Sequence, residues 1–323
     1  MKKTIALLLL TTVLSLCFTG CEISLFKGNQ TTQTTPNEEI TELQPNPASD
    51  FEYEENDAGG ITITKYIGQS LDIIIPDTIQ DKPVTEIGRY SFTTDYDYAL
   101  GYPLSISNKV RSVKMPNTVT KIGSGSFINC DTLESITLSE NLTTIGAFAF
   151  QNCVNLKHIT IPSKVTMIGD QAFDSSGLET LTLEEGITTL NGYRCFAGTQ
   201  IKQITLPSTI EEIAMLAFAT SLNLESIILN EGLIKIGHGA FANNPKLKEI
   251  VIPKTVQVIT EMDFDQCSGL EKVKFEGNAP ASFEYSDSAG TWEPYYVHFT
   301  VYYHEGAEGF TSPEWYGYPT EIW

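Results

Sequence analysis

Apolar positions recur along most of this chain with a period close to 23 residues. Phe127, Phe150, Phe173, Phe196, Phe218, Phe241 and Phe264 are separated by 23, 23, 23, 22, 23 and 23 residues, and Phe92 precedes them by 35. Aligned on the phenylalanine, other columns appear. One reads Val110, Leu133, Leu156, Leu178, Ile201, Leu224, Leu247, Leu270; the next reads Val113, Ile136, Ile159, Leu181, Ile204, Ile227, Ile250, Val273. Two residues on stand Met115, Leu138, Ile161, Leu183, Leu206, Leu229, Ile252 and Phe275. A two-residue step puts both positions on one side of a short strand. A second apolar pair follows, such as Val165 with Ile168, then small residues leading into the phenylalanine, as in Ile145-Gly146-Ala147-Phe148-Ala149-Phe150. No single unit can bury so many apolar side chains, but stacked units can. The pattern therefore predicts a β-rich repeat solenoid. It has about eight units of roughly 23 residues, each a short strand plus a second short strand or helical turn. With a strand spacing of roughly 4.8 Å per unit, the stack is on the order of 40 Å long.

Small irregularities support this register. The step from Phe173 to Leu178 is one residue shorter than that from Phe150 to Leu156, and Leu190 to Phe196 is one longer than Ile145 to Phe150. Both fall beside the phenylalanine turn, where a loop absorbs them. A finer alternation lies at the residue after the strand: Pro116, Ser139, Pro162, Glu184, Pro207, Asn230, Pro253, Glu276. Acids follow in the units without proline, at Glu140, Glu185 and Glu231. The true period is then 46 residues. Either it records duplication of paired units, or it forms a charge stripe along one edge.

The consensus L-x-x-I-x-I-P-x-x-V-x-x-I-G-x-x-A-F-x-x-C resembles the BspA-like leucine-rich repeat family; residues 156–173, LKHITIPSKVTMIGDQAF, match it best. The resemblance covers about residues 60–276 and implies a bacterial surface or secreted protein, some members of that family being adhesins. The stretch from Ile61 looks like the family's atypical first unit, and the tail from Asn278 like its terminal segment. The expected organisation is a signal peptide over 1–20, a disordered tether over 21–50, the solenoid over 51–276 with an insertion at 93–107, and a C-terminal cap over 277–323.

The N-terminus has Lys2 and Lys3, an apolar run from Ile5 to Leu16, and then Phe18-Thr19-Gly20-Cys21. The run is too short to span a membrane and reads as an export signal. The last four residues resemble a lipobox, with small Gly20 before a thiol able to carry lipid, so Cys21 is the expected lipidation site. The following residues are rich in Thr, Asn, Gln, Glu and Pro and cannot bury a core. They form a tether of roughly 30 Å. The expected location is outside the cytoplasm, lipid-anchored to the bacterial envelope, with the membrane touched only through Cys21.

Charge narrows the partners. The chain carries −20, and loss of Lys2 and Lys3 with the signal takes it to −22. Such acidity repels phosphate backbones, so no nucleic-acid partner is expected. Cys130, Cys153 and Cys267 each follow their phenylalanine by three residues. That shared phase predicts buried free thiols. No C-x-x-C, H-E-x-x-H, G-x-S-x-G or phosphate-cradling loop occurs, so no metal, cofactor or enzymatic activity is expected. His158 falls on an outward strand position.

Binding is then the expected function, with a protein of the extracellular matrix or another cell-surface macromolecule as partner. Three places could carry it. The outward strand column Lys114, Thr137, Thr160, Thr182, Thr205, Ile228, Val251, Lys274 lines an exposed sheet. It is either a recognition strip or simply β-branched strand chemistry. The insertion carries Tyr96, Tyr98 and Tyr102, a composition suited to interfaces or to a capping loop. The aromatic tail, including Trp292, Tyr295, Tyr296 and Trp315, either closes the last turn or stacks on sugars. That last option, or the 96–102 loop, would make the protein a glycan-binding lipoprotein instead.

Overall fold

The computed structural model describes residues 44–93, 96–97, 102–103, 109–283 and 298–323. Two rows of short parallel strands run up the stack. One comprises Asp72–Ile74, Ser112–Lys114, Ser135–Thr137, His158–Ile161, Thr180–Leu183, Gln203–Thr205, Ser226–Ile228, Glu249–Ile252 and Lys272–Phe275. The other comprises two-residue strands, such as Lys121–Ile122, Thr144–Ile145 and Met167–Ile168. The second strand of each unit is thus a strand and not a helical turn. Only two short 3-10 helices, Ala48–Asp50 and Glu261–Phe264, occur among the described residues.

The core is the predicted ladder. Phe92 to Phe264 are all buried at the repeat positions. From Phe92 to Phe241, successive rings stack with centroids 4.6 to 6.4 Å apart. Tyr66 extends the stack below Phe92, 5.6 Å away, and Phe299 closes it edge-on above Phe264.

The turn around each phenylalanine has a fixed backbone form. Residues two before and two after it are left-handed, with φ between 54° and 69°, except before Phe264, where the Glu261–Phe264 3-10 helix takes that place. The first set is Tyr90, Gly125, Phe148, Gln171, Arg194, Leu216 and Gly239; the second is Asn129, Asn152, Ser175, Gly198, Thr220, Asn243 and Gln266. Most are not glycine, and the left-handed region costs an ordinary residue about 1–2 kcal/mol. Hydrogen bonds to the next turn hold it, as from Thr220 N–H to the Ala242 carbonyl at 2.8 Å. Threonine is a poor choice there because it branches at Cβ. Thr220→Gly, which copies Gly198 one turn below, should stabilise by about 1 kcal/mol. A thermal melt shifted upward by roughly 2–4 °C would show it.

The ends differ from the expected boundaries. Residues from 44 to 50, placed in the tether by composition, belong to the fold. Asn46 bonds Ile74 through both backbone and side chain, and Phe51–Glu55 then pairs antiparallel with Ile61–Tyr66. At the other end the cap extends the solenoid sheet. Thr300–Tyr303 pairs parallel with Lys272–Phe275, and Tyr318–Ile322 with Thr300–Tyr303.

Candidate interaction surface

In the first strand row, alternate residues point inward and outward. Ile159 and Ile161 are buried while His158 and Thr160 are exposed. The outward column is open as expected. Lys114, Thr137, Thr160, Thr182, Thr205 and Ile228 are exposed, and Val251 and Lys274 are half-buried. Ile228 is 57% exposed, a large apolar side chain with no cover. His158 shares this face and bonds Thr180 Oγ1 at 2.6 Å.

The sheet is built in couplets, which give the 46-residue alternation physical content. Ser112–Lys114 pairs with Ser135–Thr137, His158–Ile161 with Thr180–Leu183, Gln203–Thr205 with Ser226–Ile228, and Glu249–Ile252 with Lys272–Phe275. Between couplets adjacent strands are not paired. Each couplet begins with a proline unit. In two couplets the residue after the second strand donates its N–H down the stack, Glu184 to the Ile161 carbonyl at 3.1 Å and Glu276 to the Ile252 carbonyl at 3.0 Å, and in the other two Met115 and Leu206 donate up it, to the Thr137 and Ile228 carbonyls at 3.0 Å. Proline at that position has no N–H to give, and the joints below Pro162, Pro207 and Pro253 are unpaired, whereas Asp72–Ile74 does pair with Ser112–Lys114 below Pro116. Side chains bridge the joints instead. Lys164 donates to Asn141 at 2.6 Å; Glu185 accepts from the Ser208 N–H and hydroxyl at 3.0 and 2.8 Å; Lys254 lies 3.8 Å from Glu231. The Ser208 N–H bond holds the Glu185 carboxyl below its usual range.

A charge pattern follows the couplets that the apolar columns did not reveal. The residue entering each strand reads Arg111, Glu134, Lys157, Glu179, Lys202, Glu225, Lys248, Glu271. Basic residues mark proline units and acidic ones their partners. The edge is therefore a column of alternating sign, and each charge has opposite neighbours above and below.

The open joint between Ser135–Thr137 and His158–Ile161 forms a shallow groove of about 490 Å³. Its walls include Thr137, Thr160, Thr182 and His158, with Glu134, Glu140 and Glu184 at the rim. Among the described residues no group of three or more His, Cys, Asp or Glu side chains could hold a metal ion.

A family model for the BspA type leucine-rich repeat region matches residues 104–194 and 192–286 in six copies. The chain belongs to the BspA-type leucine-rich repeat family. Solved leucine-rich repeat structures are similar to this chain. One from Bacteroides ovatus is 25% identical, covers 79% of this chain and 70% of its own, and superposes with a TM-score of 0.52. A leucine-rich cell surface protein from Faecalibacterium prausnitzii is 19% identical over 83% of this chain and 96% of its own, with a TM-score of 0.36. The pneumococcal vaccine antigen PcpA is 19% identical over 78% and 91%, with a TM-score of 0.40. No curated protein matches the chain.

Within this BspA-type stack the remaining sequence candidates fall in different places. Trp315 is only 4% exposed and packs on Phe275, Phe283 and Phe310, with its Nε1–H donating to the Gly309 carbonyl at 3.0 Å. It is a cap residue and cannot serve as a sugar platform; the ring is spent on closing the last turns. Trp292, Tyr295 and Tyr296 lie outside the described residues, as do Tyr98 and Cys21. In the insertion, Tyr96–Asp97 and Tyr102–Pro103 pair as an antiparallel hairpin.

The described cysteines are buried free thiols. Cys130, Cys153 and Cys267 donate through Sγ to the phenylalanine carbonyl of the turn below, at 3.1 to 3.3 Å. Asn244 does the same to Phe218, so the column three after phenylalanine is a buried ladder of small polar groups. Burial pushes the Cys195 and Cys267 thiols up to about 12 and raises Cys130 and Cys153 as well, which leaves all four protonated and unreactive.

Proposed function

We propose that this protein is an exported, lipid-anchored bacterial surface protein that binds a protein of the extracellular matrix or of a neighbouring cell through the outward face of its long sheet. The observation that carries this reading is the uncovered column from Thr137 through Thr160, Thr182 and Thr205 to Ile228. Every inward column is consumed by packing, whereas this one is rigidly presented and left open. Hydroxyls, an exposed isoleucine and alternating edge charges offer hydrogen bonds, apolar contact and ionic contacts along one line. A partner chain of several residues can follow such a line. The protein acts by binding and carries out no catalysis.

Export and anchoring rest on the signal-like N-terminus and Cys21. Metabolic labelling with an alkyne fatty acid should mark the wild-type protein and leave Cys21→Ala unlabelled and released from membranes. Equal labelling of the variant would remove the anchor. For the face, the ectodomain should bind one or more immobilised matrix proteins saturably. Ile228→Asp, at an exposed site that costs the fold little, should weaken that binding about tenfold or more, as for an interfacial anchor given a buried charge. Absence of saturable binding to any matrix protein would sink the adhesive reading.

A further inference from the structure

On one edge of the stack, two consecutive turns are each shortened. Five residues lead from Phe173 to Leu178 and from Phe196 to Ile201, where six lead from Phe150 to Leu156 and from Phe218 to Leu224. The side chains along this edge read Thr132, Asn155, Gly177, Gln200, Asn223, Lys246. The first shortened turn therefore also lacks a side chain. It has to: a Cβ on Gly177 would lie 1.9 Å from the Val154 carbonyl oxygen. Withdrawal of the loop and loss of the side chain together cut a notch of about 420 Å³ into this edge.

The walls of the notch are rich in hydrogen-bonding groups. Its lining includes Ser176, which is 1% exposed and whose Oγ has no partner. Lys157 Nζ sits 3.3 Å from the Val154 carbonyl and 3.6 Å from Glu179. Lys202 also lines the notch and has no ion-pair partner among the described residues. Gln200 spends its carbonyl on Asn223 Nδ2 at 2.8 Å, and its amide hydrogens have no partner there. Val154, exposed at one rim, supplies an apolar wall.

We propose that this notch binds a single acidic pyranose unit, of the uronate class, within a glycan. The lining carries Lys157 and Lys202 against Glu179 alone, a net positive charge in a chain of net charge −20, which selects for an anionic ligand. Glu179 and Gln200 match ring hydroxyls, and Val154 matches the C–H face of the ring. The carboxylate goes to Lys202 and Lys157. An acidic peptide side chain would satisfy the lysines but leave the neutral groups unpaired, at a cost in affinity. The site is separate from the outward sheet column, so it stands or falls independently of the matrix-binding reading.

The test is a titration of the full chain, by saturation-transfer NMR and calorimetry, with glucuronic acid, glucose and tri-glutamate. Glucuronic acid should bind saturably, and glucose and tri-glutamate about tenfold or more weakly, the difference expected for one lost charge-assisted bond or one unpaired polar set. Lys202→Gln and Gln200→Ala, both at exposed positions, should each weaken glucuronic acid about tenfold while thermal melts stay unchanged. Ile228→Asp should leave this binding intact. Equal binding of glucose would overturn the charge selection, and equal binding of tri-glutamate the sugar assignment. Absence of saturable glucuronic acid binding, or its persistence in both notch variants, would overturn the site.

Discussion

Replacing Phe173 with alanine should lower the unfolding free energy by about 4 kcal/mol, the cost of emptying a buried aromatic site that cannot collapse. Phe173 is fully buried, with rings 5.0 Å below and 5.2 Å above it. Both neighbours lose a stacking partner at once. Collapse is blocked because the turn is fixed by left-handed Gln171 and Ser175 and by backbone bonds to the next turn, Phe173 N–H to the Cys195 carbonyl at 2.8 Å among them. The melting temperature should fall by roughly 10 °C at this chain size. Since each unit touches only its neighbours, the lesion also weakens the coupling between the two halves of the stack. Urea unfolding followed by circular dichroism should give a lower midpoint and a broader transition. A loss below about 1 kcal/mol, ordinary for a surface change, would contradict the account of the ladder.

The second large effect is a pH dependence centred on Asp263. It occupies the column before the phenylalanine, where other units place Ser126, Ala149, Ala172, Cys195, Ala217 or Ala240. The carboxyl is wholly buried at the last repeat turn. Its Oδ1 accepts from the Ala240 N–H at 3.0 Å, and Oδ2 from the Thr260 N–H and hydroxyl at 2.6 and 3.1 Å. Burial pushes it from 3.8 up to about 7, against the opposing pull of those donors. Between these two values the native state holds a proton that the unfolded chain has released. Stability is therefore fully present below pH 4 and declines as pH rises to 7. A shift of this size corresponds to about 4 kcal/mol as an order of magnitude. Other carboxylates superimpose their own trends, so the informative quantity is the difference from Asp263→Asn. The wild type should lose stability relative to that variant as pH rises from 4 to 7. Parallel curves would show that Asp263 stays ionised throughout.

The ladder, the strand and the buried cysteines were legible because each depends on side chains that repeat in identity. The left-handed turn positions were not: Phe148, Gln171, Arg194 and Leu216 share a backbone conformation but no chemistry, since neighbouring turns impose it. The proline alternation was visible, yet its meaning needed the strand pairing, because a missing N–H matters only where a carbonyl waits for it. The alternating edge charges sit one residue outside the apolar columns and carry no apolar signal of their own. The shortened step at Phe173 is legible as a spacing, but only the packed edge shows that Gly177 turns it into a notch. The tail's composition suits a cap, while its two added parallel strands carry no repeat signature. Trp315 is the reverse case, a residue whose type suits a sugar platform and whose burial forbids it.

Couplets also restrict how such a chain can change its length. Above the first unit, where Pro76 already lies under Pro116, excising or adding one turn would bring two like charges together in the edge column. Excising or adding two turns preserves every bridge, as between Glu185 and Ser208. Above the first unit, the module that preserves the edge charges and the joint bridges is therefore the pair of turns, with the single turn only its half.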